Sequence, residues 1–417
     1  MPGEREWDVE EEIDKVLSQR ARPQEGEETE LPTIEEMAAI EERRGAWYRM
    51  PEEIERLRER LGQMRSKLLI VAVGSGACMM MLHAFEKHLD LLVGNVPVFI
   101  DTNVYTLSDV WDRLSDLMQQ ATDTGFRPVL TQEQLYKNLI PIGKFGAKKD
   151  PRLGLQMFRA YANAIVRCLK HQFDRFGCEG AVVVASEGGG TGTFVGPVLA
   201  KAVATMVARN TATLFVMTLP LRINPKDIAN AREGLDLAVS QRLRPIVIDI
   251  ECVAEALKMG KKKVAEIDIY KKGKDLIATL LASMVNVLTH RLDSIPPYDF
   301  GNIDTLIRNA PDNAIGCMMH ASYKNLKEME KNWRTDMMVW QSIRARMMDK
   351  ATCVSFLVGR DIPEKLHQDL TKFLMRRYAV GQDDLLVPLV NIDGYEILTL
   401  LWGLDPMTID PPLISRR

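Results

Sequence analysis

The chain has 417 residues, of which 46% are apolar and 27% charged, and its net charge is −3. Those values are ordinary for a globular protein of two or three domains and exclude collagen-like, wholly disordered and disulfide-scaffold classes. Near-neutrality leaves no general electrostatic footprint for nucleic acid or an anionic lipid surface. The six cysteines are scattered without CxxC spacing, as expected of reduced thiols and not of a structural zinc site. The chain opens on acidic residues, and no apolar run approaches the ~18 residues that span a bilayer. The expectation is a soluble cytoplasmic protein with no structural metal and no direct membrane insertion.

Residues 1–30 hold eleven acidic and four basic side chains, too few apolar groups to offset the entropy of ordering, and read as a flexible acidic arm. Residues 31–66 read as a helical N-terminal extension. Thr33 and Glu36 form a capping box, and Ile54, Leu57, Leu61 and Met64 recur at helical spacing after Pro51. From Lys67 the texture alternates. Strands are predicted at Leu68–Val73, Val96–Ile100, Ala181–Ala185, Thr213–Thr218 and Ile246–Ile250, with helices at Cys78–Leu92 and Pro197–Val207. This pattern predicts an α/β domain built on a doubly wound, mostly parallel sheet, with ligands at the carboxyl ends of the strands. A long helix follows over Lys272–Arg291. Beyond Pro296-Pro297, strands at Ala314–His320, Ala351–Gly359 and Leu385–Asn391 alternate with helices around Glu328–Met348 and Pro363–Tyr378, a second, smaller α/β unit. The boundaries are 67–270, 271–293 for the central helix, 294–403, and 404–417 for a short tail.

The sharpest local signal is Gly188-Gly189-Gly190-Thr191-Gly192-Thr193, between a buried strand and a helix. Successive glycines turn several N–H groups into one concavity, the helix N-terminus adds its positive dipole end, and phosphate fits there. No Lys-Ser/Thr follows, so this is not a Walker A loop. Gly74-Ser75-Gly76-Ala77 after the first strand is a weaker candidate of the same kind. As a dinucleotide fingerprint it fails, because Met79 occupies the third glycine position and Asp101 is a late, imperfect ribose acid. The histidines form no triad or ligand cluster.

Taken in order and spacing, three segments resemble the tubulin/FtsZ superfamily signature: Val71 to Cys78, Ile100-Asp101-Thr102-Asn103, and the glycine run framed by Ala185 and Val198. Thr218-Leu219-Pro220, Lys274-Asp275-Leu276 and Pro297 to Ile303 resemble that superfamily's TxP turn, central-helix start and synergy loop. The resemblance spans about residues 67–403 and implies a cytoskeletal GTPase of the FtsZ/CetZ kind. Such proteins assemble head to tail, and the synergy loop of one subunit completes the nucleotide site of the next. It implies phosphate contacts from Gly74, Ser75, Gly76, Ala77, Cys78, Asn103 and Gly188 through Thr193, with Lys149-Asp150-Pro151 in place of the phosphate-sensing loop. Asn224, Tyr270, Lys274 and Asp275 fall where sugar and base are held, and Asp299 and Asn302 at the catalytic acid positions. The implied cofactor is GTP/GDP, with Mg2+ a candidate companion. The implied partners are a second copy of the chain and a membrane-tether or regulatory protein at the N-terminal extension or the tail, in a process such as cell division.

Several positions depart from the pattern. Met79 and Ile250 stand where asparagines contact the nucleotide, Phe194 replaces a glycine, and Asn302 replaces the second synergy acid. An amide is no base at neutral pH, so the expectation is weak hydrolysis. The alternative reading is a non-filamentous nucleotide-binding regulator or scaffold. A third class, an NAD-dependent oxidoreductase, lacks a convincing ribose acid. A bland role for Asp299, as a helix cap, competes with the catalytic one.

Overall fold

The computed structural model describes residues 66–409, apart from 126–127, 208–210, 253–265, 291–293, 296–297 and 340. The acidic arm, the two expected extension helices and residues 410–417 lie outside the described residues.

β1 (Leu68–Val73) reads LLIVAV with all six side chains buried, the continuous apolar run of a strand covered on both faces. It pairs in parallel with β2 (Val96–Asp101) on one side and β4 (Gly180–Ser186) on the other. β5 (Thr213–Leu219) and β6 (Ile246–Asp249) continue the sheet beyond β4, and a short β3 (Leu139–Pro141) extends it beyond β2. The order β3-β2-β1-β4-β5-β6 is the expected doubly wound parallel block. Its connections carry α1 (Ser75–Lys87), α2 (Leu89–Gly94), α3 (Val104–Asp123), α4 (Gln132–Lys137), α5 (Pro151–Arg159), α6 (Ala162–Phe176), α7 (Gly192–Met206) and α8 (Pro225–Ser240). The helix expected over Cys78–Leu92 breaks at His88, a non-helical residue that ends α1 and starts α2. α7 begins at Gly192, five residues before Pro197, whose fixed φ is already helical and is accommodated inside the helix.

α9 (Glu266–Thr289) is the central helix, about 36 Å long at 1.5 Å per residue. Ile277, Ala278, Leu280, Leu281, Ala282, Ser283, Met284, Val285, Val287 and Leu288 are buried, over most of the circumference of its second half, which is the signature of a helix enclosed by protein. After it come β7 (Ser294–Ile295), α10 (Phe300–Asn309), β8 (Ile315–Tyr323), α11 (Leu326–Val339), β9 (Met347–Val358), α12 (Glu364–Tyr378), β10 (Val380–Leu386), β11 (Leu389–Val390) and β12 (Tyr395–Leu404). β12 was not expected from the sequence. It lies antiparallel between β8 and β9 and is buried from Ile397 to Leu404. The expected strand over Leu385–Asn391 is two short strands on β9, and the helix expected to reach Met348 ends at Val339, where Met347 and Met348 open β9. The two halves share one sheet through a single parallel step, Ile246 to Gly316. There Trp402 Nε1, fully buried, donates to the Arg244 carbonyl at 3.1 Å. Among the described residues, no helix is long and apolar enough to cross a membrane.

Candidate functional site

The loops after β1, β2, β4 and β5 open at the same end of the parallel block. Gly74 holds φ at 86°, a left-handed value that favours glycine, and a Cβ there would lie 2.9 Å from the Gly192 amide nitrogen. The starts of α1 and α7 are therefore in contact. Neither helix has a side-chain cap on its first amides, and neither carries an acid in its first turn. The neighbouring α3, α5 and α8, in contrast, are capped by Asn103, Asp150 and Asn224. Two uncapped N-termini of 13- and 15-residue helices bring unpaired N–H groups and positive dipole ends to one place, an anion site by construction. Gly189, in the middle of the glycine run, faces open space.

One carboxylate ties the loops. Asp101, at the end of β2, accepts from Ser75 Oγ at 2.5 Å and Thr191 Oγ1 at 3.2 Å, while Thr191 Oγ1 also meets Thr102 Oγ1 at 2.6 Å. Burial pushes the Asp101 carboxyl above its ordinary range, against the pull of the Ser75 hydroxyl, the Asn103 and Thr102 amides and the Thr191 hydroxyl. Asp101 thus ties the loop after β1 to the glycine run. Thr193 Oγ1 donates to the Gly189 carbonyl at 2.8 Å, so the second threonine shapes its own loop.

The far wall is Ala147–Asp150 with α5. A Cβ on Gly154 would overlap the Gly190 carbonyl oxygen and approach Thr191 Cα to 3.2 Å. Asn230 on α8 donates its amide to the carbonyls of Gly188 and Lys149, both at 3.1 Å, and Lys149 Nζ meets both Asp227 oxygens at 2.8 Å. Sequence reasoning singled out neither Asn230 nor Asp227, because these clamps join segments about 40 to 80 residues apart. Gly154→Ala forces α5 off the glycine run and is expected to cost about 1–3 kcal/mol of overpacking. Anion affinity at the loop should fall about tenfold, checked by denaturant unfolding alongside nucleotide titration.

Glu187 stands immediately before the glycines and is buried, and neither carboxyl oxygen has a hydrogen-bond partner among the described residues. Burial alone pushes its carboxyl well above the ordinary glutamate range. The folded state therefore holds a proton that the unfolded chain releases at lower pH. Stability from this group is fully present below the ordinary glutamate value and is lost as pH rises through the folded-state value. Glu187→Met, of similar length, removes the orphaned carboxyl. It should raise stability at pH 8 by about 1–3 kcal/mol and flatten the decline with pH, read from urea midpoints at pH 5 to 9.

The structure brings Gly74, Ser75, Gly76, Ala77, Cys78, Asn103, Gly188 through Thr193 and Asn224 to this one end. Tyr270, Lys274 and Asp275 lie along α9. The Asp275 carboxylate contacts His83 Nε2 at 2.5 Å and Lys87 Nζ at 3.5 Å, and the His83 hydrogen bond holds it below its ordinary range. Asp299 and Asn302 are elsewhere. They cap each other at the start of α10, Asn302 N to Asp299 Oδ1 at 2.8 Å and Asp299 N to Asn302 Oδ1 at 2.9 Å. The next residue, Phe300, packs against Gly180, the first residue of β4, so this pair sits at the amino end of the strands, opposite the glycine loops. Asp304 pairs with Arg308 at 2.7 Å.

No family model matches the sequence, and no curated protein does. Solved structures do match. An FtsZ dimer from M. jannaschii superposes with a TM-score of 0.59 at 18% identity, covering 85% of this chain and 92% of that one. CetZ2 from Haloferax volcanii, a GTPγS-bound protofilament, gives 0.58 at 15%, covering 83% and 94%. CetZ from Methanosaeta thermophila gives 0.60 at 15%, covering 82% and 87%. The chain has the tubulin/FtsZ fold: a parallel α/β domain, a central helix and a second, smaller α/β domain.

Proposed function

We propose that the chain is a guanine-nucleotide-binding cytoskeletal protein of the FtsZ/CetZ type, assembling head to tail into filaments with slow, assembly-coupled GTP hydrolysis. The observation that carries this reading is the pair of abutting, uncapped helix N-termini under the glycine run. The residues fit a nucleotide's phosphates: α1 and α7 would hold them through backbone N–H groups, with the open side of Gly189 as the approach. The nucleotide would supply the bond to be hydrolysed. Asp299 and Asn302 lie at the other end of β4, a seven-residue strand about 23 Å long. They can reach a glycine loop only on another copy. Exposed apolar side chains around the loop mouth also favour a covering subunit. Tyr105 and Phe145 are 60% and 65% exposed with ring centroids 6.4 Å apart, and Ile223 beside Asn224 is 59% exposed.

A second reading, a nucleotide-binding regulator that does not polymerise, is favoured by Met79 and by the mutual capping that occupies Asp299 and Asn302. Following phosphate release and light scattering together over a range of protein concentrations separates the two. Release per subunit that rises with scattering above a threshold concentration supports the filament reading. Nucleotide binding without scattering at any concentration supports the regulator.

A further inference from the structure

At the amino end of the parallel strands, a cleft of about 360 Å³ opens between the end of α7, the start of β5, the turn after α8, and α10. Four cations line it, Lys201, Arg242, Arg244 and Arg308, against two carboxylates, Asp304 and Asp312. Asp312 accepts from Arg244 Nη2 at 2.7 Å and faces Arg242 Nη1 at 3.3 Å, and Asp304 takes Arg308. Lys201 Nζ meets only the Gln241 carbonyl, at 3.1 Å, and no carboxylate among the described residues. Burial first, then the positive charge of Arg242 and Arg244, hold its ammonium below the ordinary lysine range. Arg244 is 10% exposed and forms the floor, while Arg242 and Arg308, at 68% and 66%, reach the mouth. Arg242 and Arg244 both hold left-handed backbone, at φ 57° and 49°; Arg242 is the left-handed residue that closes α8, with the Leu243 amide donating to the Ala238 carbonyl at 3.1 Å. In the same lining, Thr213 Oγ1 is buried without a hydrogen-bond partner among the described residues.

We propose that this cleft is a second ligand site, separate from the glycine loops, that takes a small polyanion bearing phosphate or carboxylate groups. Lys201 and Arg308 contact the ligand directly, Arg242 closes over it, and Arg244 supports the floor. A bound anion joins α7 and β5 to α10, the helix that Asp299 and Asn302 cap, so occupancy bears on the end of the molecule opposite the glycine run. The site uses no residue of that run and stands whether or not the chain binds GTP.

Calorimetric titration of the full chain with inorganic pyrophosphate and, separately, citrate tests this in wild type, in Lys201→Gln/Arg308→Gln and in Gly154→Ala. One or both anions should give a binding component that is the same in wild type and Gly154→Ala, while any component from the glycine loops weakens in Gly154→Ala. The double variant should weaken binding about tenfold or more, the loss of hydrogen bonds to charged groups. Pyrophosphate alone marks a phosphate ligand, and citrate alone a carboxylate one. Failure of both anions to bind, loss of every binding component in Gly154→Ala, or every component unchanged in the double variant overturns the proposal. Should the double variant not fold, Arg242→Gly removes one cation and suits the positive φ. About threefold weaker binding is then expected, and unchanged binding overturns the site.

Discussion

Arg222→Ala is expected to destabilise the chain by about 3–5 kcal/mol, a large part of the 5–15 kcal/mol that holds a typical domain together. Asp249, at the end of β6, is fully buried, and the Arg222 guanidinium grips both its oxygens, Nη2 to Oδ2 at 2.6 Å, while also donating to the Pro220 carbonyl at 3.0 Å. Removing the arginine leaves an anion in the interior with the Glu251 amide, at 3.0 Å, as its one remaining hydrogen-bond donor among the described residues. Burial already pushes the Asp249 carboxyl above its ordinary range, with Arg222 pulling it back. The folded state of the variant therefore takes up a proton more readily still. Its deficit should be largest at neutral and alkaline pH and shrink as pH falls through the folded-state value of Asp249. Arg222→Lys keeps the charge and loses the two-pronged geometry, so it should fall between. Urea unfolding followed by circular dichroism at pH 5 and pH 8 measures all three, and equal deficits at both pH values would remove Asp249 from the explanation.

Asp299→Ser is expected to lower assembly-coupled phosphate release about a hundredfold, the lower end of what a positioned acid or base contributes, with little change in stability. The choice of serine matters. Serine still caps α10, because its oxygen can accept from the Asn302 amide as the aspartate does now, but it offers no carboxylate to a neighbouring subunit. Asp299→Ala loses both functions and should cost about 1 kcal/mol of helix stability as well. If the aspartate is only a cap, Asp299→Ser leaves phosphate release per assembled subunit untouched. Restoring the second acid by Asn302→Asp should raise turnover in the filament reading, and it keeps the capping geometry because either side chain accepts.

The parallel block was legible because β1, β4 and β5 are short apolar runs ending in turn residues, and the glycine run stands where a strand gives way to a helix. Its position at the carboxyl end of β4 follows from the fold class. β12 was not legible: its continuous apolar run near the chain's end carries no alternation to separate strand from buried helix, and it becomes a strand only because β8 and β9 lie on either side. The role of Asp101 depends on Ser75 and Thr191, 26 and 90 residues away in sequence. The same holds for Asn230 under Gly188. Asp299 was visible as an acid at a helix start, and of its two readings the cap is the one seen, with its carboxylate accepting from the Asn302 amide; the catalytic reading belongs to the head-to-tail contact proposed above. Asp275, read as a base contact, is drawn to His83, an interaction set by how α1 and α9 pack and absent from any local pattern. The orphaned Glu187 looked like part of the glycine frame, since burial of a single carboxyl leaves no trace in composition.

The central claim, that two abutting helix N-termini under the glycine run bind the phosphates of a guanine nucleotide, is tested most directly by what the protein retains. The full chain is purified without added nucleotide and denatured, and the released small molecules are separated by anion exchange. The same protein, stripped of what it held, is then titrated with GTP and ATP. The expected result is GDP or GTP released in up to equimolar amount, GTP bound in preference to ATP, and both properties weakened in Gly154→Ala. No nucleotide released, and no binding of GTP by the stripped protein, would contradict the account.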